Sequence, residues 1–98
     1  MIEFSTELNQ GKWYHDGRGP RYKQLCLHIS GLVAAGTLAI DDQLPSERDI
    51  AEMADVSRVT VRKAIAELVS DGLIDQRQGA GSFIRASGER FEQSLSSL

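Results

Sequence analysis

The sequence predicts a small α+β domain, three helices followed by a two-stranded β-hairpin. Three observations predict it. Apolar residues recur at helical spacing over residues 22–33 and again over 61–68, a helix-capping sequence opens a shorter segment between them, and a glycine turn at residues 79–81 joins two short strand-like runs. Ninety-eight residues leave room for one ordinary domain.

The elements follow in order. Residues 1–19 show no sustained period and lead through Gly17-Arg18-Gly19 to Pro20, a residue suited to a helix start, so they are expected to form a flexible N-terminal arm. Tyr22, Leu25, Cys26, Ile29, Leu32 and Val33 then lie at the offsets of one helical face, with Gly36 placed as a stop. After a short loop, Ser46 can accept from the Asp49 amide while Asp49 reaches back to the Ser46 amide, as in a capping box. This opens a short second helix with Ile50, Met53 and Ala54 inward, ending near Ala54. Asp55 and Val56 make a tight link, aspartate being one of the few residues besides glycine that tolerates a left-handed backbone. Ser57 caps the third helix, Val61, Ala64, Ile65 and Leu68 form its buried stripe, and Gly72 ends it. Two runs, 73–78 and 82–85, flank Gly79-Ala80-Gly81 as a hairpin. Two helices joined by a three- or four-residue link make a helix-turn-helix, and the hairpin directly after them makes a wing. Residues 86–98 read as a linker.

Composition removes several functions. No stretch approaches the ~20 apolar residues of a membrane helix, and the N-terminus has neither the basic start nor the apolar core of a secretion signal, so a cytoplasmic protein is expected. A single cysteine, Cys26, and two distant histidines offer no internal disulfide or zinc site, and neither a metal nor a cofactor is expected. Cys26 falls on an apolar stripe and reads as core. His15 beside Asp16 lies in the arm, a poor setting for acid-base geometry, and His28 flanks the stripe as a packing residue. Gly79-Ala80-Gly81 lacks the Lys-Ser/Thr of a nucleotide loop and is a turn. No catalytic residue is assigned, and the protein is not expected to be an enzyme.

The net charge of −3 would by itself argue against nucleic acid. Charge is segregated, however. Residues 18–40 carry +3, residues 41–55 carry −5 and residues 56–85 carry +2. Within the third helix Arg58, Arg62 and Lys63 occupy the first two turns, while Glu67 and Asp71 occupy the last two. That order opposes the helix dipole, at about 0.3–1 kcal/mol per charge, and an anion at the first turn would reverse the penalty. DNA phosphate fits: the helix start offers free amides, Ser57 and Thr60 offer hydroxyls, and the arginines offer forked donors. A helix-turn-helix inserts the start of its second helix into a major groove ~12 Å wide, which places Arg58, Val59, Thr60 and Arg62 at base edges or nearby phosphates. A solvated basic face would look the same in an isolated helix. The wing that follows, with a small tip able to approach a backbone or minor groove, favours DNA. The six acids between Asp41 and Asp55 read as a solvated face, with a partner contact or a brake on nonspecific DNA affinity as alternatives.

The residues Leu44-Pro45-Ser46-Glu47-Arg48, Val56 through Ala64, Leu68, Asp71-Gly72-Leu73-Ile74 and Gly79 through Ile84 resemble, in order and spacing, the winged helix-turn-helix of the GntR family of bacterial transcription regulators, and more narrowly its HutC-type branch. Tyr22 with Gln24-Leu25 resembles the opening of that family's first helix, so the resemblance covers about residues 20–85, the expected DNA-binding domain. It implies that Arg48 contacts phosphate, that Ser57, Arg58, Thr60 and Arg62 open the recognition helix, and that Gln78 and Gly79 form a minor-groove wing tip. Val59 and Lys63 stand where members vary, so base preference is expected there. Two turns depart from the pattern: Ile40-Asp41 replaces a usual Pro-Gly, and Asp55 replaces a usual Gly. The resemblance further implies a palindromic double-stranded DNA operator, a homodimer, repression, and a C-terminal effector-binding domain reached through residues 86–98, making this chain the head of a longer regulator. A protein-interaction module docking through residues 41–55 is the alternative from another class.

Overall fold

The computed structural model describes residues 3–85. In chain order these form α1 (Phe4–Glu7), α2 (Gln10–Trp13), α3 (Arg21–Ala34), α4 (Glu47–Ala54), α5 (Arg58–Ser70), β1 (Ile74–Arg77) and β2 (Gly81–Ile84). The three predicted helices are α3, α4 and α5, and the hairpin is β1–β2: a winged helix-turn-helix. Residues 86–98, read above as a linker, lie outside the described residues.

The core is the meeting of α3 and α5. Leu25, Ile29 and Val33 from the first pack with Val61, Ala64, Ile65 and Leu68 from the second, all at most 3% exposed. Ile50, Ala51 and Ala54 close α4 over them, and Leu73, Ile74 and Ile84 bring in the hairpin. Met53, expected inward, is only partly buried, and Ala51 takes its place. Each helix stop falls where the sequence put it. Gly36 and Gly72 both adopt φ 82°, a left-handed conformation that lets the chain leave the helix. Asp55 turns α4 into α5 at φ 56°, ψ 50°.

The Ser46 cap forms, with the Asp49 amide donating to Ser46 Oγ at 3.1 Å. The reciprocal bond from Asp49 to the Ser46 amide is not made among the described residues. A capping box uses Glu or Gln at this place, one methylene longer than Asp.

The hairpin pairs Ile74 with Ile84, Asp75 with Phe83, Gln76 with Ser82 and Arg77 with Gly81. Its second strand is also paired on the other edge. The loop before α4 runs alongside, with the Leu44 amide donating to Ser82 O at 2.8 Å and the Ile84 amide to Asp42 O at 2.9 Å. That strip fixes the wing to the start of α4. At its head Asp41 sits at φ 75°, so this aspartate supplies the left-handed residue that a Pro-Gly turn would supply through glycine, while its neighbour Asp42 accepts from the Ala39 amide at 2.8 Å.

Residues 3–19 correct the expectation of a loose arm. Two short helices pack there, and Leu8 and Trp13 are 1% and 4% exposed within the core. Trp13 Nε1 donates to Leu8 O at 2.9 Å, and Gln10 Nε2 donates to both Ala54 O and Asp55 O at 3.0 Å. The last two carbonyls belong to the end of α4 and the turn, which a helix terminus leaves without partners. Helices of four residues are too short to show a period, so composition alone read them as an arm. His28, as expected, is half-buried, its Nε2 2.7 Å from Glu7 O. No helix among the described residues is long and apolar enough to cross a membrane.

Candidate nucleic-acid interface

The start of α5 is built by Ser57. Its hydroxyl accepts from the Thr60 amide at 3.1 Å and lies 3.0 Å from Thr60 Oγ1, so both hydroxyls serve first to cap the helix. The capped turn presents Arg58 and Val59 outward, Val59 at 59% exposure. Val59 is thus an exposed β-branched side chain on the same helical start as the exposed Arg58 and Arg62.

Between this turn and the wing lies a cleft of about 720 Å³. Arg48 from the first turn of α4, Arg58 from the first turn of α5, and Arg77, Gln78 and Gly79 from the wing all line it. Three arginines from three elements against one carboxylate, Glu47, make it cationic. The strip of residues 41–44 is what brings them together. Gln43 Nε2 donates to Ala80 O at 2.9 Å, holding the wing tip against the loop that leads into α4. Gly81, at φ 114°, holds a conformation side chains rarely adopt, and a Cβ there would stand 2.7 Å from Gln43 Nε2 and displace that amide from the wing tip.

Of the nine residues expected to touch DNA, Arg48, Arg58, Gln78 and Gly79 share this cleft. Ser57, Val59 and Thr60 adjoin it on the same helical turn. Arg62 and Lys63 lie one turn further on and do not line it. Arg62, 62% exposed, has its Nε 3.5 Å from Glu47 Oε1, which ties the middle of α5 to the head of α4. Lys63 Nζ stands 5.7 Å from the centre of the Tyr22 ring, so it leans toward α3.

Two members were missing from the expected set. Arg77 stacks on Phe83, its guanidinium carbon 4.3 Å from the ring centre, and its Nε is 3.2 Å from Asp75 Oδ2, with Asp41 Oδ1 3.8 Å from the guanidinium. Sequence placed it in the wing, and only the hairpin register sets its guanidinium on Phe83 at the border of the cleft. Gln43 carries no local signal at all, because its role depends on a residue 37 positions away.

The acidic half of α5 faces elsewhere. Glu67 accepts from Lys23 Nζ at 2.8 Å, a bond that holds the Glu67 carboxyl below its ordinary range and the Lys23 ammonium above its own. Cys26 Sγ lies 3.6 Å from the same oxygen, and burial pushes its thiol up to about 11. That thiol is buried core, not a nucleophile.

The family model described as bacterial regulatory proteins, gntR family, matches residues 21–84. The HTH-type transcriptional repressor NagR of Bacillus subtilis (strain 168) is 39% identical over 79 residues, 81% of this chain and 32% of its own length. The arabinose metabolism transcriptional repressor of Geobacillus stearothermophilus is 37% identical over 65 residues, 66% of this chain and 18% of its own length. The chain thus spans a third or less of these curated relatives. Among solved structures, a transcriptional regulator from Oenococcus oeni superposes with a TM-score of 0.73 at 32% identity, covering 86% of this chain and 70% of that one. AraR(DBD) in complex with operator ORX1 gives 0.67 at 37% identity, covering 72% and 86%. With a family model spanning both helices of the helix-turn-helix and the wing, the chain belongs to the gntR family of bacterial regulatory proteins, as its winged helix-turn-helix DNA-binding domain.

Proposed function

We propose that this chain reads a specific double-stranded DNA operator, with the first turn of α5 in the major groove and the tip of the wing at the minor groove. The observation that carries the reading is the convergence of Arg48, Arg58 and Arg77 on one cleft between helix and wing. A single helix can present cations for many reasons. Three elements that each bring an arginine to the border of a common space, with a hairpin held there by Gln43, suit a phosphate backbone beside a groove. In this reading Arg48 and Arg77 hold phosphates, Arg58 and Arg62 reach base edges, Val59 and Lys63 tune the base preference, and Gln78 and Gly79 approach the minor groove. Ser57 and Thr60 orient the amides of the helix start.

The chain acts in the cytoplasm as the reading head of a longer repressor of the HutC-type branch. That repressor is a homodimer on a palindrome with half-sites roughly one helical turn apart. A C-terminal domain, reached through residues 86–98, binds a small effector and changes the spacing of the two heads. NagR and the arabinose repressor, named as repressors, support this assignment. The test is selection of binding sequences from a random duplex pool at fixed salt. Enrichment of one half-site, or a palindrome of two, is expected; a pool that stays random after repeated rounds refutes the reading.

A further inference from the structure

A second concavity, of about 370 Å³, lies on the side of α3 opposite the Leu25, Ile29 and Val33 stripe, where the N-terminal segment crosses it. It shares no residue with the DNA-reading cleft. The floor is apolar. Trp13 turns its indole N–H inward onto Leu8 O, and beside it Leu27 is 62% exposed, the most exposed large hydrophobic residue among those described. The rim carries two cations, Lys12 and Arg18, and the imidazoles of His15 and His28 complete it. Neither Lys12 nor Arg18 pairs with a carboxylate among the described residues, and no carboxylate lines the space.

This rim is built, not incidental. Gln24, 7% exposed, spends its whole side-chain amide on the crossing loop, accepting from the His15 amide at 2.8 Å and donating to His15 O at 3.1 Å and Gly19 O at 2.9 Å. Those three bonds fix the loop that carries His15 and Arg18 against α3. Lys12 and Arg18 thus stand beside an exposed leucine and the edge of a buried tryptophan, and neither lines the cleft between α5 and the wing. Their chemistry is that of a receptor: charged groups to fix an anionic head, apolar surface to cover a short body, in a volume within the usual range of small-molecule sites.

We propose that this concavity binds a small organic anion, a carboxylate or phosphate ester with a short aliphatic body. The head sits between Lys12 and Arg18, and the body covers Leu27 and the edge of Trp13. Trp13 is the single tryptophan of the chain, so its emission reports the site directly.

The test is a fluorescence titration of the 98-residue chain with hexanoate, hexyl phosphate, inorganic phosphate and hexanol, carried to about 10 mM to saturate a site of roughly millimolar affinity. A saturable change in Trp13 emission is expected with hexanoate or hexyl phosphate, and which of the two binds tighter identifies the head group. Lys12→Gln with Arg18→Gln, both exposed positions, should weaken that binding by roughly tenfold or more while the circular dichroism stays unchanged. Leu27→Asp should abolish it. No saturable change with either anion, an equal response to hexanol, binding of inorganic phosphate as tight as that of hexyl phosphate, or a response undiminished in the double variant would each overturn the proposal.

Discussion

Arg48 and Arg58 line one cleft, yet the reading assigns them different work, and salt separates the two. Arg62 has Glu47 at 3.5 Å and Arg77 has Asp75 at 3.2 Å, whereas Arg48 and Arg58 have no carboxylate partner among the described residues. Each can therefore neutralise a phosphate without first giving up an ion pair. A phosphate contact contributes about 0.9 to the slope of log affinity against log salt. Arg48→Ala should remove that increment, so that the ratio of wild-type to variant affinity falls about 3.5-fold between 50 and 200 mM salt. The loss should be equal on the operator and on an unrelated duplex. Arg58→Ala, if it reaches a base edge, should cost about 1–3 kcal/mol on the operator, roughly 5- to 150-fold, and much less elsewhere. Fluorescence anisotropy with labelled duplexes across a salt series measures both. An Arg48→Ala variant that loses discrimination while keeping its slope, or an Arg58→Ala variant that weakens all duplexes alike, would refute the assignment of roles.

Three further outcomes follow from the packing. Gln10→Ala leaves the carbonyls of Ala54 and Asp55 without two donors, at about 0.5–1.5 kcal/mol each, so thermal unfolding should show a midpoint several degrees lower; an unchanged midpoint would contradict the bracing role of the N-terminal segment. Asp55→Gly should stabilise the domain by roughly 0.5–1 kcal/mol in urea unfolding, because φ 56° costs aspartate more than glycine; destabilisation would mean that the aspartate side chain supports the turn. Burial raises the Cys26 thiol from its ordinary value of 9.0 to about 11, so the folded state keeps a proton that the unfolded chain releases. Stability from this source is fully present below pH 9 and lost as pH rises toward 11, and Cys26→Ala should flatten the fall seen in urea midpoints over that window.

The three main helices, the two helix stops and the hairpin are legible in the sequence because each is local. Val61, Ala64, Ile65 and Leu68 repeat within one helix, and Ser46, Ser57 and Gly72 mark ends within a few residues of what they cap. The two turn aspartates, departures in letter, are conformational equivalents, since Asp41 and Asp55 both occupy the left-handed region. What the sequence conceals is contact at a distance. Leu8 and Trp13 join the core through helices too short to carry a period, Gln10 reaches 44 and 45 residues forward to the end of α4 and the turn, and Gln43 reaches 37 to the wing. The site was half legible for the same reason. Arg58 and Val59 follow from the cap at Ser57, but the place of Arg77 depends on a strand register and an aromatic face that no local pattern encodes.

If the chain reads DNA as proposed, its acidic balance bears on binding in this geometry. Glu47, Asp41 and Asp75 do not lie on a remote solvated face: each stands within 4 Å of an arginine at or beside the cleft. Exposed pairs of this kind add little stability, about 0–1 kcal/mol. Their larger effect is on binding. A passing duplex must compete with Glu47 for Arg62 and with Asp75 and Asp41 for Arg77, so part of every nonspecific phosphate contact is spent in breaking an internal one. A matched operator adds base-edge contacts that nonspecific DNA cannot, and these offset the same cost. In the proposed reading the acids therefore lower both affinities by a similar, small amount and leave the ratio between them intact. In the proposed reading Arg48 and Arg58, without a carboxylate partner among the described residues, are the contacts that first hold the duplex while the others exchange partners.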